Sequence, residues 1–403
     1  MKSKSIISDQ SFHALSEIDW SFASLSNGGL HSTHWYPATY LAAIPGTIIP
    51  YLTDAGGIVL DPFSGSGTTG AEAIRLGRRF VGMDTNPIAI LMAEAKLKFA
   101  GPASLRRSLD LILDSAQPIF SASQVSEHPR EKELLRWYHP QTMHALNRIL
   151  CVILRVKERS VRRTLLAIFS SILKTCSSQG KHWGWVCDNV TPKAEEIVFR
   201  DADTLFSSAV LQFINASSYF FDECRDHTPD LTRQMVRSRS SLLWGSCLEK
   251  MADIDESSID AIVTSPPYYG VADYVKSQRL SFLWFDKDEL AKDHLGFRDF
   301  ELLRSIETGT RSTRHSRNSH AVYIDFMDRF FLAAERILKP GAAMSLVVGE
   351  SQSRNSTTEE LVSLAIQANF ELRTRLGRNI RLNRRRLMAK VNGEEMLFFS
   401  KGI

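Results

Sequence analysis

Two stretches of this chain put chemistry-bearing residues at informative intervals. Gly65-Ser-Gly67-Thr-Thr-Gly70 has the spacing G-x-G-x-x-G. It follows a short run rich in β-branched residues, Ile58-Val-Leu60, that ends at Asp61-Pro62, and it leads into a helical run, Gly70–Leu76. Glycines spaced this way let a backbone approach a ligand closely. Asp84 lies nineteen residues beyond Gly65, at the end of the next strand-like run, Arg79–Met83. A carboxylate there accepts hydrogen bonds from ribose hydroxyls, which both NAD and S-adenosylmethionine carry. Asp61 discriminates between them. An acid just ahead of the loop repels a pyrophosphate seated on a helix N-terminus, whereas a cofactor bearing a sulfonium and an ammonium favours it.

The second stretch is Thr264-Ser-Pro-Pro-Tyr268, after the apolar run Ile259–Val263. Two prolines fix φ and remove backbone donors, so the loop presents oxygen acceptors at a defined place. An exocyclic amine on a nucleobase is a poor nucleophile because its lone pair is delocalised into the ring. Acceptors that hold its N–H bonds localise the lone pair, which is stabilisation by positioning and electrostatics. The ring of Tyr268 can stack on a base that has left a duplex.

Taken together, Leu60-Asp-Pro-Phe-Ser-Gly-Ser-Gly-Thr-Thr69 and Thr264-Ser-Pro-Pro-Tyr268 resemble the amino-methylating DNA methyltransferases, which use S-adenosylmethionine to modify cytosine N4 or adenine N6. The resemblance covers roughly 30–100 and 240–403. It implies an α/β, Rossmann-like seven-stranded fold with a terminal antiparallel hairpin. It places Ser265, Pro266, Pro267 and Tyr268 in the catalytic loop. Tyr36 and Pro37, within His34-Trp-Tyr-Pro-Ala38, match the motif that completes the methionine end of the cofactor pocket. Asp61, Phe63, Gly65, Ser66, Gly67, Thr68, Thr69, Asp84 and Asn86 fall on the remaining cofactor-binding positions. Ser246, in Gly245-Ser-Cys247, stands where many members carry an acid beside the adenine. Leu338-Lys-Pro-Gly341 matches a loop after a family helix. Serine at the head of the catalytic loop is similar to the cytosine-N4 enzymes, and adenine N6 remains the alternative. The implied partners are double-stranded DNA and, in a restriction–modification system, a cognate endonuclease, within the cytoplasm of a prokaryote or phage host.

These residues need elements to position them. The punctuation 58–102 spells a β-α-β-α unit, with Asn86-Pro87 capping a helix through about residue 99. Residues 1–30 are polar, without clear periodicity, and read as a loose arm ahead of a cofactor-binding half at 31–102. Residues 103–239 lose the strand–helix rhythm. Helical spacing at 131–156 and 161–175 makes them a mostly helical insertion and the candidate target-recognition region, with aromatics at Trp137, Tyr138, Trp183 and Trp185. The rhythm returns in 240–403, with strands expected near 242–244, 259–263, 343–348, 370–380 and 394–400 and helices near 246–252, 321–338 and 358–369.

The 403 residues carry a net charge of +4, unevenly spread. Glu371–Lys390 holds seven arginines and one lysine against a single acid, which leaves the rest of the chain net acidic. Arg148–Arg163 is a second basic stretch, and Arg311, Arg314 and Arg317 sit in a third. Such clusters suit phosphate contacts, and Arg314, Arg317, Arg381, Arg384, Arg385 and Arg386 are the expected DNA-binding residues. Five cysteines without a CxxC pair argue against a disulfide framework or zinc ribbon, and eleven histidines show no HExxH spacing, so no metal site is expected. No signal peptide and no membrane span is expected, since no apolar run is long enough. Three other readings remain to be separated from DNA methylation: an RNA base methyltransferase, a catalytically silent DNA-binding subunit, and an NAD-linked oxidoreductase.

Overall fold

The computed structural model of the chain describes residues 7–98, 100–116, 126–179, 191–291, 300–351, 356–378 and 391–402. In chain order the first elements are α1 (Asp9–Ser16), α2 (Ala43–Leu52), β1 (Ile58–Asp61), α3 (Thr68–Arg75), β2 (Arg79–Asp84) and α4 (Pro87–Lys98). A helical stretch follows: α5 (Pro102–Asp114), α6 (Glu131–Leu134), α7 (Pro140–Leu154), α8 (Arg159–Cys176), α9 (Ala202–His227) and α10 (Arg233–Arg239). The α/β rhythm then resumes with β3 (Ser240–Trp244), α11 (Cys247–Ala252), β4 (Ile259–Thr264), α12 (Arg279–Phe285), α13 (Asp288–Ala291), α14 (Phe300–Ile306) and α15 (Ser319–Ile337). The chain closes with β5 (Leu338–Ser351), α16 (Thr357–Gln367), β6 (Phe370–Arg378) and β7 (Val391–Lys401).

The strands form one seven-stranded sheet in the order β3-β2-β1-β4-β5-β7-β6. All neighbours are parallel except β5–β7 and β7–β6, so the terminal hairpin enters antiparallel, as the sequence implied. Val59 and Leu60 of β1 are buried on both faces, which is why this strand reads as an unbroken apolar run. Strand order reverses between β1 and β4. In an open α/β sheet, ligands lodge beyond the carboxyl ends of the strands at that switch point. The two motif loops leave the sheet there.

Three expectations need correction. First, the N-terminal segment is not a loose arm from residue 9 onward. Phe12, Leu15 and Trp20 are buried, Trp20 Nε1 donates to the Leu15 carbonyl at 3.0 Å, and the Arg373 guanidinium lies 5.2 Å from the Phe12 ring centre. A two-turn helix offers too few residues for its period to show against polar neighbours. Second, among the described residues the helices of 103–239 do not pack as a separate inserted unit. Leu150, Leu165 and Phe206 belong to the same apolar cluster as Ile44, Ile74 and Leu91 of the sheet's covering helices. Composition signals a change of rhythm, but not which face the new helices cover. Third, Lys339-Pro340-Gly341 is not a loop ahead of a strand at 343. β5 starts at Leu338 and absorbs these residues as a bulge, between the pairs Ile259↔Leu338 and Ala261↔Ala343.

Candidate active site

A cleft of about 430 Å³ opens at the switch point, a size suited to a nucleoside-bearing ligand. Its wall includes Tyr36, Pro37, Phe63, Gly65, Ser66 and Thr68 from the first motif regions. Asp84, Asn86 and Ser246 line it beyond β2 and β3, and Ser265, Pro267 and Tyr268 line it beyond β4. The residues expected for the cofactor and those expected for catalysis thus share one cavity, with four exceptions: Asp61, Gly67, Thr69 and Pro266 are not on its wall.

The glycine loop is held by its own backbone and by Asp84. Gly65 N donates to Asp84 Oδ2 at 2.9 Å, and Asn86 N donates to Asp84 Oδ1 at 2.8 Å. Gly67 has φ +80°, and a Cβ there would lie 2.8 Å from that of Ala93, so a side chain would both strain the turn and lift α3 off α4. Burial pushes the Asp84 carboxyl up to about 6, against the two backbone amides that favour its charge. Ser64 Oγ and Thr68 Oγ1 are buried in the cleft wall without a hydrogen-bond partner among the described residues. Buried hydroxyls of this kind are complementary to a polar ligand, which the wall otherwise presents with aromatic and backbone surface.

Asp61 acts differently from the sequence expectation. Its Oδ1 accepts from the Thr264 hydroxyl at 2.5 Å and from Phe63 N at 3.1 Å, and its Oδ2 accepts from the Thr69 hydroxyl at 2.6 Å. Thr69 Oγ1 also meets the Tyr40 hydroxyl. The carboxylate is 1 % exposed, and burial raises it to about 6. Rather than facing a cationic ligand, Asp61 ties the helix of the glycine loop to the strand that carries the Ser265–Tyr268 loop.

In that loop Ser265 Oγ lies 3.0 Å from the Val347 carbonyl and 3.2 Å from the Tyr268 hydroxyl, which in turn lies 3.3 Å from Glu394 Oε1. Two hydroxyl protons serve three contacts, and the carbonyl and the carboxylate are the stronger acceptors for them. Ser265 then presents only lone pairs to a further partner. The Tyr323 hydroxyl donates to the Pro267 carbonyl at 3.0 Å and so fixes the second proline.

A family model for N6/N4-type enzymes, described as DNA methylase, matches residues 2–95, a range that takes in α1, β1 and the glycine loop. The chain is 19 % identical over 425 residues to the type II methyltransferase M.MjaII of Methanocaldococcus jannaschii, covering 85 % of this chain and 76 % of that protein. It is 21 % identical over 267 residues to the type II methyltransferase M.MvaI of Kocuria varians, covering 64 % and 57 % respectively. A 51-residue stretch is 49 % identical to the type II methyltransferase M2.DpnII of Streptococcus pneumoniae, 13 % of this chain and 19 % of that one. These matches support an amino-methylating DNA methyltransferase of the N6/N4 type.

The cleft also contains residues that sequence motifs do not mark. Tyr274 stacks with Tyr36, ring centres 6.2 Å apart, and Glu307 Oε1 accepts from Val275 N at 2.8 Å. Burial lifts the Glu307 carboxyl to about 8. Neither residue has a spacing that distinguishes it from an ordinary loop residue. Cys247 lines the cleft as well, but burial pushes its thiol up to about 12, which leaves no thiolate for a covalent route.

The expected phosphate contacts divide. Arg317 is exposed, whereas Arg314 is half-buried and donates to the Arg311 carbonyl at 2.6 Å. Arg381, Arg384, Arg385 and Arg386 lie outside the described residues, as do Trp183 and Trp185. The basic stretch 148–163 is partly an internal brace. Arg148 donates to Asp203 at 2.5 and 2.6 Å and to the Ile112 carbonyl at 3.0 Å, and the buried Arg163 pairs with Glu94. Trp137 and Tyr138 are buried in the core and cannot stack on a base. Arg375 pairs with Glu359 and Glu395 at 2.6 and 3.0 Å, and Arg373 pairs with Asp9. Among the described residues no cluster of three or more His, Cys, Asp or Glu could hold a metal ion, and no helix is long and apolar enough to cross a membrane.

Proposed function

We propose that this methylase modifies duplex DNA by moving a methyl group from S-adenosylmethionine to the exocyclic amine of a flipped base, cytosine N4 in particular. The observation that carries the reading is that the Asp84-bound glycine loop and the Ser265–Tyr268 loop wall one cleft. When bound, the cofactor supplies a methyl group activated by a sulfonium. Asp84 would accept from its ribose hydroxyls, Ser64 and Thr68 would meet its polar end, and Tyr36, Pro37, Phe63 and Ser246 would enclose it. The cleft wall fits such a group because its unpartnered buried hydroxyls and its aromatic surface occur side by side.

On the substrate side, Tyr268 supports the base by stacking. Ser265 Oγ, its proton committed to Val347, accepts one amine N–H, and the Pro266 carbonyl accepts the other. The lone pair of the amine is then localised towards the cofactor side of the cleft. Pro266 itself is off the cavity wall, between the lining residues Ser265 and Pro267. Serine rather than Asp or Asn at the head of the loop supports cytosine over adenine.

Type II relatives support placement in a restriction–modification system, with a cognate endonuclease as partner and the prokaryotic cytoplasm as the place of action. The outward faces of the helices in 103–239 are the surface left for target recognition, since their inner faces are spent on the core. The test is incubation with methyl-labelled S-adenosylmethionine and either duplex DNA or RNA, followed by nucleoside analysis. Label in N4-methylcytosine from DNA supports the proposal, and label in N6-methyladenine moves the substrate to adenine. Label only in RNA, or no transfer, overturns DNA modification.

A further inference from the structure

Behind the catalytic loop lies a buried charge pair that the chemistry above does not use. Arg378 and Glu394 face each other directly across β6 and β7, and each is 5 % exposed. Arg378 Nη1 pairs with Glu394 Oε2, and Arg378 Nε donates to the Trp20 carbonyl at 2.8 Å. The other carboxylate oxygen, Oε1, takes the hydroxyl of Tyr268 at 3.3 Å. One carboxylate therefore spans the terminal hairpin and the catalytic tyrosine, and its cation is moored to the N-terminal segment.

Burying two charges costs several kcal/mol per ion before their attraction offsets it, so such a pair is not an efficient device for stability alone. It does give Tyr268 one acceptor in one place. Without Glu394 the phenol proton is free to turn to Ser265 Oγ and occupy a lone pair there, and the order of donors around Ser265 is lost. We propose that Glu394, oriented by Arg378, is a positioning residue for Tyr268, fixing both the ring that supports the base and the lone pairs that Ser265 offers to the amine. The proposal rests on the methyl-transfer reading of the same cleft. Neither Arg378 nor Glu394 lines the cleft, so each acts through Tyr268 and not on a ligand. The Tyr268 phenol stands well above its ordinary value, from burial first and the Glu394 charge second.

Two measurements test this on the full chain. The first needs no substrate: tyrosines labelled with 13C at Cζ are titrated by NMR, with the Tyr268 signal assigned by its loss in Tyr268→Phe. Glu394→Gln keeps the shape and removes the charge, so the Tyr268 phenol should ionise at lower pH than in the wild type. An unchanged titration overturns the proposal. The second is a kinetic cycle. Glu394→Ala should lower kcat by about 10- to 100-fold, the range expected for a small misplacement of a reacting group, with S-adenosylmethionine affinity held within about twofold. Glu394→Gln should recover part of that loss. In a Tyr268→Phe background Glu394→Ala should change kcat by less than about twofold, because the hydroxyl it addresses is gone. An equal loss in both backgrounds, or a loss of cofactor affinity at unchanged kcat, overturns the positioning role. Absence of any transfer by the wild type would instead strike the function reading, and the NMR titration would still decide the pair.

Discussion

The Asp61 carboxylate and the Thr264 hydroxyl, 203 residues apart in sequence, meet at 2.5 Å at the carboxyl ends of adjacent strands β1 and β4. Asp61 also holds Thr69, the second residue of α3. The glycine loop and the Ser265–Tyr268 loop are therefore tied to one another through a single buried carboxylate. Thr264→Val removes the donor while keeping the shape. It should cost about 1.5–3 kcal/mol, the range for a hydrogen bond to a charged group, measured by urea denaturation. Turnover should fall with it, while S-adenosylmethionine affinity changes little because Asp61 is off the cleft wall. Unaltered stability and turnover would show that the two loops are aligned by other contacts.

Asp84 gives a pH dependence with a defined sign. Its carboxyl stands at about 6 in the folded protein against 3.8 for the ordinary group. Between these values the folded state holds more protons than the unfolded state, so this group's contribution to stability falls as pH rises from about 3.8 through about 6. On the proposed reading cofactor binding runs the other way, because the ionised carboxylate is a much stronger acceptor for a ribose hydroxyl than the neutral acid. Affinity for S-adenosylmethionine should weaken about tenfold for each pH unit below 6, the limit for one proton. Asp84→Asn should bind more weakly at pH 7.5 and lose that slope, as calorimetry at pH 5 and 7.5 can show. A slope that persists in the Asn variant would assign the titration to another group.

Arg163 separates an internal brace from a DNA contact. It sits on α8, pairs with Glu94 of α4, and is 5 % exposed. Arg163→Met takes from the half-buried Glu94 carboxylate its directly paired cation and leaves Lys98 as the other cation in range. The expected loss is about 3–5 kcal/mol of folding stability, the range for breaking a buried pair from one side. DNA affinity per folded molecule should not change. Weaker DNA binding at unchanged stability would return Arg163 to the phosphate-binding face.

The strands and helices around the motifs were legible in the sequence because each is marked twice, by period and by punctuation. Asn86-Pro87 starts α4, with Asn86 Oδ1 accepting from Ile88 N at 3.0 Å, and Gly67 ends the loop ahead of α3. The candidate cleft was legible to the same degree, since parallel strands carry motif loops to one edge of the sheet. Long-range electrostatic partners were not. Nothing about Asp61 says that Thr264 will take its charge, nothing about Arg148 says that Asp203 will, and nothing about Glu307 says that it will face Tyr36 and Tyr274. Such pairings depend on which faces meet after packing, and a one-dimensional charge count makes a buried brace and a phosphate contact look alike. The two-turn α1 escaped for a different reason, its length being too short for a period to emerge.

Arg384, Arg385 and Arg386 lie outside the described residues, so the expectation for them rests on charge density alone. If each neutralises a phosphate, each releases condensed counterions on binding, and the slope of log affinity against log salt carries about −0.9 per contact. The triple change to Ala should therefore flatten the slope by about 2 to 3 and weaken binding equally for specific and unrelated duplexes, because phosphate contacts carry no sequence information. Fluorescence anisotropy over a salt series, with two duplexes of different sequence, measures both quantities. An unaltered slope would make the cluster a solvated surface. A flattened slope confined to one duplex would mean that these arginines read bases, and substitution one at a time would then find which of them does.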